Sequence, residues 1–281
     1  MKAITESLGV SRSQQYERRK DGPRKRNRYQ PKREDEACLS LIGEVIGERP
    51  TYGYRRVTIM MNRRRSVRVE APINHKRMYR IMRANHLLLR KHTGRPLYCH
   101  EGTIMTPRSD QRWCSDGFEI ACDNGQRVRI AFSMDCCDRE IMSYVATTGG
   151  ITSAMIQDLM IDAVENRFGS IGNVKGPIEW LSDNGSAYTA ADTQVTAQAL
   201  GLVVCTTQYR SPESNGMAEA FVKTFKRDYV GVHDLQDAIT LMEYLPKWFA
   251  DYNECHPHKA LKMKSPREFR RHITKLEACP V

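Results

Sequence analysis

Apolar positions recur at helical spacing in the first third of the chain and at strand spacing from about residue 113 onward. Leu39, Leu41, Ile42, Val45 and Ile46 predict a helix over residues 35–47. Pro50 and Gly53 interrupt the pattern, and a second helix is expected from Tyr54. In NHKRMYRIMRANHLLL, Met78, Ile81 and Met82 fall on one face, and Asn74 stands where an N-cap belongs. Three short helices in a row, the last amphipathic, predict a helix-turn-helix-like module.

Beyond Trp113 the texture changes. RWCSDGFEIA reads as a strand, Asp123-Asn124-Gly125 as a tight turn, and QRVRIAFSMDCC and REIMSYVATT as two further strands. TSAMIQDLMIDAVENRF then shows a helical stripe of Met155, Ile156, Leu159, Met160 and Val164. PIEWLS is a fourth strand, ADTQVTAQALG a helix stopped by Gly201, LVVCTT a fifth strand and NGMAEAFVKTFKRDY a helix. The order β-β-β-α-β-α-β-α predicts a mixed α/β sheet with flanking helices, which is the ribonuclease H-like architecture. The domain boundaries expected are a basic arm over 1–34, a helix-turn-helix-like domain over 35–92, a linker over 93–111, and a catalytic core with a C-terminal helical extension over 112–273.

Charge adds a partner to this picture. The chain of 281 residues carries a net +11, but residues 1–95 hold 25 Lys and Arg against 9 Asp and Glu, a net +16, so the remainder is −5. A polyanion partner, with nucleic acid the default, follows from that asymmetry. In the third helix Lys76, Arg77, Arg80 and Arg83 crowd the polar surface. The same residues suit an ordinary solvated helix equally well. No apolar stretch approaches 18 residues and the N-terminus lacks a secretory h-region, so a cytoplasmic protein with no membrane partner is expected. The nine cysteines form no CxxC pair, and most lie in apolar runs, so buried free thiols are expected rather than disulfides or zinc. Cys99-His100 and Cys255/His256/His258 offer no complete four-ligand spacing.

Three acids are placed differently from the rest. Asp116 interrupts the first strand, a costly position unless something compensates it. Asp183, in LSDNGSAY, ends the fourth strand, where sites in such sheets gather; the plain alternative is that Asp-Asn-Gly is simply a turn. Glu219 lies on the last of these helices, 35 residues separating it from Asp183. Carboxylates brought together in this way suit hard divalent cations, and two such ions can clamp a phosphodiester during displacement. Lys223 and Lys226 share the Glu219 side of the helix and could grip DNA phosphate, although Lys223 could equally form an i,i+4 pair with Glu219. Asp135, on the second strand, is a rival acid and fits a neighbouring position better than the triad.

LGVSRSQQYERRK, RPTYGYRRV, INHKRMYRIMRANHLL, WCSDGF, LSDNGSAY, SPESNGMAEAFVKTFKRDY and YNECHPHKAL with SPREF occur in that order along nearly the whole chain. In this the chain resembles bacterial insertion-sequence transposases of the two-frame family, as their downstream-frame product, with a retroviral-integrase-like DDE core. The resemblance implies a DDE triad of Asp116, Asp183 and Glu219, served by two Mg²⁺ or Mn²⁺ ions. It places Lys226 on the basic position seven after the Glu, and Asn184 and Gly185 on the turn that shapes the second acid. Arg55, Arg56, Lys76, Arg77 and Arg80 fall in its DNA-binding region. It implies donor-strand cleavage, then transfer of the freed 3′-OH, without a covalent protein–DNA link. The implied partners are DNA at the element ends and target, further copies of the chain on that DNA, and an upstream-frame subunit or fusion, in a nucleoid-associated bacterial protein. Two positions depart from the family's pattern: SDGF stands where many relatives read SDIT or TDIT, and His256 replaces an Arg. A non-catalytic DNA-binding accessory or repressor of the same element is the alternative, and a cellular ribonuclease H-like nuclease a third reading.

Overall fold

The computed structural model describes residues 33–90, 106–206 and 216–278. The basic arm up to residue 32, Cys99, His100, Cys279 and the SPESN stretch of the last signature lie outside them. The chain falls into two units, Met1–Leu39 and Ser40–Val281, and the contacts described below lie within the second.

Three helices come first: α1 (Arg33–Glu48), α2 (Tyr54–Val67) and α3 (His75–Ala84). In α1 Ile42 and Val45 are buried at the expected spacing. Helix α3 begins as expected, with the Asn74 side chain accepting from the Lys76 amide at 2.8 Å. Its Met78, Ile81 and Met82 are fully buried, and Tyr79 meets Tyr54 of α2 edge-on with centroids 5.1 Å apart.

Five strands follow: β1 (Arg112–Ala121), β2 (Arg127–Asp135), β3 (Ile141–Thr147), β4 (Ile178–Ser182) and β5 (Leu202–Thr206). They form one sheet in the order β3-β2-β1-β4-β5. The first three are antiparallel, while β1, β4 and β5 run parallel. Gly125, at φ 85°, lets the β1–β2 hairpin turn, and its amide donates to the Cys122 carbonyl at 3.0 Å. Between and after these strands lie α4 (Ser153–Phe168), the single turn α5 (Ser186–Thr189), α6 (Ala191–Ala199), α7 (Gly216–Asp228), α8 (Ala238–Glu254) and α9 (Pro266–Ala278).

Strand alternation sorts the core into two layers. Trp113, Ala131, Ile178, Trp180 and Leu202 face α4 and α6. Cys114, Phe118, Phe132 and Leu181 face α7 and α8. Helix α7 is fixed there by Phe221 and Phe225, whose rings lie 6.4 and 5.7 Å from that of Phe118.

The helical module is tied to the core by charge. Arg56 of α2 donates to Asp228 of α7 at 3.1 Å, Arg63 pairs with Glu268 of α9, and Arg49 pairs with Asp251 of α8. Tyr52 and the Nδ1 of His256 are hydrogen-bonded at 2.9 Å. Burial and the neighbouring His258 hold His256 well below the usual imidazole range. A neutral His256 therefore brings no positive charge to the place where the family's pattern has an Arg.

Candidate active site

Parity and register place the three acids. Asp116 is two residues beyond Cys114 on β1, and Asp183 two beyond Leu181 of β4; Cys114 and Leu181 are paired in the parallel register. Continuing that register by two residues sets Asp116 opposite Asp183, both on the face that α7 covers. Glu219 stands in the first turn of α7, directly after the buried Ala218. Packing of Ala218, Phe221 and Phe225 against the sheet therefore determines where Glu219 points.

Asp116 feels the other two carboxylates. Asp116 is pushed up to about 6, first by burial and then by the charges of Asp183 and Glu219, against the opposing effect of the Gly117 amide. That amide donates to Asp116 Oδ1 at 2.8 Å. Asp183 is exposed, and its Oδ1 accepts the Gly185 amide at 3.0 Å. A Cβ added at Gly185 would lie 3.0 Å from that same oxygen, so the glycine permits this close turn. Asn184 is exposed within the same turn. Glu219 is half-exposed and pairs with Lys223 Nζ at 3.2 Å. Lys226 is exposed on the same helix, its Nζ 5.8 Å from the centre of the Phe118 ring. Among the described residues, no three of His, Cys, Asp and Glu are drawn close enough to enclose a metal ion.

Tyr188 was not singled out from the sequence, although it ends the LSDNGSAY stretch. Its hydroxyl lies 2.8 Å from that of Ser115, the residue before Asp116, and burial together with Asp183 and Asp116 holds its phenol protonated. It braces the strand ends from the opposite layer.

Asp135 sits elsewhere. Asp116 pairs with Phe132 on β2, so Asp135 is three residues, or about 10 Å, further along. It is fully buried beside Arg167 of α4, which donates to Asp138 at 2.6 Å and Glu140 at 2.7 Å. Its carboxyl is pushed up to about 7 by burial and by Asp138.

Of the basic residues expected on DNA, Arg55, Lys76 and Arg80 are exposed, and Arg77 is half-buried. Arg56 is turned toward the core and Asp228. Cys114, Cys122 and Cys136 are buried free thiols, Cys137, Cys205 and Cys255 are half-buried free thiols, and Cys38 is buried. No helix among the described residues is long and apolar enough to cross a membrane.

A mixed sheet in this order, with one acid within β1, one just past the end of the parallel strand β4 and one on the covering helix, is the arrangement of an integrase-type core. Residues 106–212 and 201–266 match integrase core domain families, and residues 32–95 match an HTH-like domain. Transposase InsD for insertion element IS2A/D/F/H/I/K of Escherichia coli is 50% identical over 240 residues, covering 85% of this chain and 79% of that protein. The chain belongs to this family of insertion-element transposases. The IS2A 48.2 kDa protein of Escherichia coli is also 50% identical, and the chain spans only 57% of it. Among solved structures, a chain of a simian T-cell lymphotropic virus intasome aligns at TM-score 0.47 and 13% identity, covering 82% of this chain and 73% of that one. The Mos1 mariner transposase catalytic domain aligns at TM-score 0.42 and 16% identity, covering 59% and 77%.

Proposed function

We propose that Asp116, Asp183 and Glu219 form the reacting centre of a DNA strand transferase that cleaves an element end and joins its 3′-OH to target DNA. The observation that supports this most directly is the β1–β4 register, which continued by two residues sets Asp116 opposite Asp183 on the face covered by the helix that carries Glu219. Three carboxylates brought to one face of the sheet offer only hard oxygen donors, and their repulsion is relieved by divalent cations such as Mg²⁺ or Mn²⁺. Asp116, Asp183 and Glu219 would hold two such ions. When bound, these activate the attacking oxygen and stabilise the leaving one.

The chain's own residues supply the rest. The Gly117 and Gly185 amides hold one oxygen each of Asp116 and Asp183. Lys226, and Lys223 once released from Glu219, contact DNA phosphate. Water attacks the donor phosphodiester in the first displacement, forming one P–O bond and breaking another. The released 3′-OH attacks target DNA in the second, again exchanging one P–O bond for another. The half-exposed Glu219 and exposed Asp183 suit a bulky duplex better than a small enclosed substrate.

Arg55, Lys76, Arg77 and Arg80 bind DNA through the helical module, and further copies of the chain and an upstream-frame subunit assemble on that DNA. The experiment is strand joining with a pre-exposed 3′-OH end. Product that requires Mg²⁺ or Mn²⁺ and disappears in Asp183→Asn supports the reading. A wild-type chain that binds DNA and never joins it, even with the upstream-frame domain added, would favour the accessory or repressor role.

A further inference from the structure

A cleft of about 820 Å³ opens where the N-terminal end of α2 meets α7 and the segment after α8. Tyr54, Arg55 and Arg56 line it from α2, Arg90 from beyond α3, and Arg227 and Lys259 from the core. No carboxylate is among the described residues lining it. Asp228 lies against it, shared between Arg56 at 3.1 Å and Arg227 at 2.6 Å. One acid thus balances two of five cations. Residues 96–281 carry net negative charge, yet both charged side chains they contribute here are cationic.

We infer that this cleft is a second docking groove for the DNA backbone, formed jointly by the HTH-like module and the core; the inference rests on the transposase reading. Uncompensated cations gathered in one concave surface raise the local potential and favour a polyanion. Arg55 and Lys259 are exposed, so their charges are available at its rim. Position relative to the acids matters as well. Arg227 lies eight residues beyond Glu219 on α7, about 12 Å along the helix axis. A duplex strand advances about 3.4 Å per nucleotide, so a strand with a phosphodiester at Glu219 passes the cleft about three to four nucleotides away. Duplex DNA at the element end is therefore the occupant, held at once by α2 and by the helix that carries Glu219. This makes the junction of the two parts, rather than α3 alone, a determinant of affinity.

The test uses the full chain and a short fluorescein-labelled duplex, read by anisotropy without divalent metal between ~50 and ~200 mM salt. Arg90→Gln/Lys259→Gln, at two exposed lining residues, is compared with Lys175→Gln/Lys247→Gln, which removes two exposed charges elsewhere. The groove variant should bind about tenfold more weakly at ~0.1 M salt, and its slope of log K against log salt should shrink by about 1.8, two phosphate contacts. The control should stay within about twofold of wild type. Wild-type binding by the groove variant, or an equal loss in both variants, would overturn the inference. Wild-type strand joining is scored separately, so failure of the groove and failure of the catalytic reading are told apart.

Discussion

Lys223 reaches back one turn of α7 and places its Nζ 3.2 Å from Oε2 of Glu219. The pair is exposed, so its worth to stability is about 0.3–0.5 kcal/mol at most. It does occupy the Glu219 carboxylate with a positive charge. Lys223→Ala should therefore leave the unfolding midpoint within about 1–2 °C of wild type while lowering strand joining through loss of a phosphate contact. Thermal unfolding and joining assays on the same preparation check both halves. Unchanged joining would leave Lys223 as the helix pair alone.

Asp116 makes the metal-free protein sensitive to pH. Its folded pKa, about 6, lies above the ordinary value near 3.8. Its contribution to stability is thus fully present below pH ~3.8 and is lost as pH rises through about 6. Asp116→Asn should stabilise the metal-free chain at neutral pH by about 1 kcal/mol, reduced from the full shift because part of the group meets solvent. The gain should vanish near pH 4, and the variant should not join strands. Denaturant melts at the two pH values measure it; equal differences at both would contradict the account.

Gly185 tests how tightly the second acid is held. An added Cβ would crowd Asp183 Oδ1 at 3.0 Å, the oxygen that the Gly185 amide holds. Gly185→Ala should turn the carboxylate and cut joining by about tenfold or more, with a cost in stability under ~1 kcal/mol. Joining at the wild-type rate would show that this turn does not position Asp183.

Arg167 is fully buried among Asp135, Asp138 and Glu140, and Arg267 and Arg270 of α9 also pair with Glu140. Arg167→Met should cost about 3–5 kcal/mol at neutral pH, because it strands buried carboxylates. Without the cation, the folded pKa of Asp135 rises further. Stability lost in the variant should therefore return as pH falls toward about 7, the value to which Asp135 is already raised in the wild type. A deficit that is constant from pH 8 to 5 would contradict this cause.

Local pattern made the elements readable: the Asn74 cap, the Asp123-Asn124-Gly125 turn, the stripe of α4 and the stop at Gly201 all act within a few residues. The elements that carry the acids were readable for the same reason: Asp116 lies within β1, Asp183 just after β4 and Glu219 in the first turn of α7. Pairings at a distance were not. Arg56 meets Asp228 across 172 positions, so an ion pair of a residue assigned to DNA from its place in a basic helix could not be read from that helix. Asp135 looked like a possible ligand because only register, not composition, separates it from Asp116. Arg227 and Lys259 gave no signal in a region of negative net charge; only the fold brings them beside α2.

On the proposed reading, Glu219 completes a carboxylate set that transfers DNA strands. The direct measurement is joining of a labelled duplex with an exposed 3′-OH to target DNA in Mg²⁺ or Mn²⁺, comparing wild type with Glu219→Gln, with the upstream-frame domain supplied to both. The substitution keeps the shape of the half-exposed side chain and removes its charge. Joined product from wild type, a loss of at least about a hundredfold in Glu219→Gln and equal DNA binding by both are the predicted results. Equal joining by the two proteins would contradict the account.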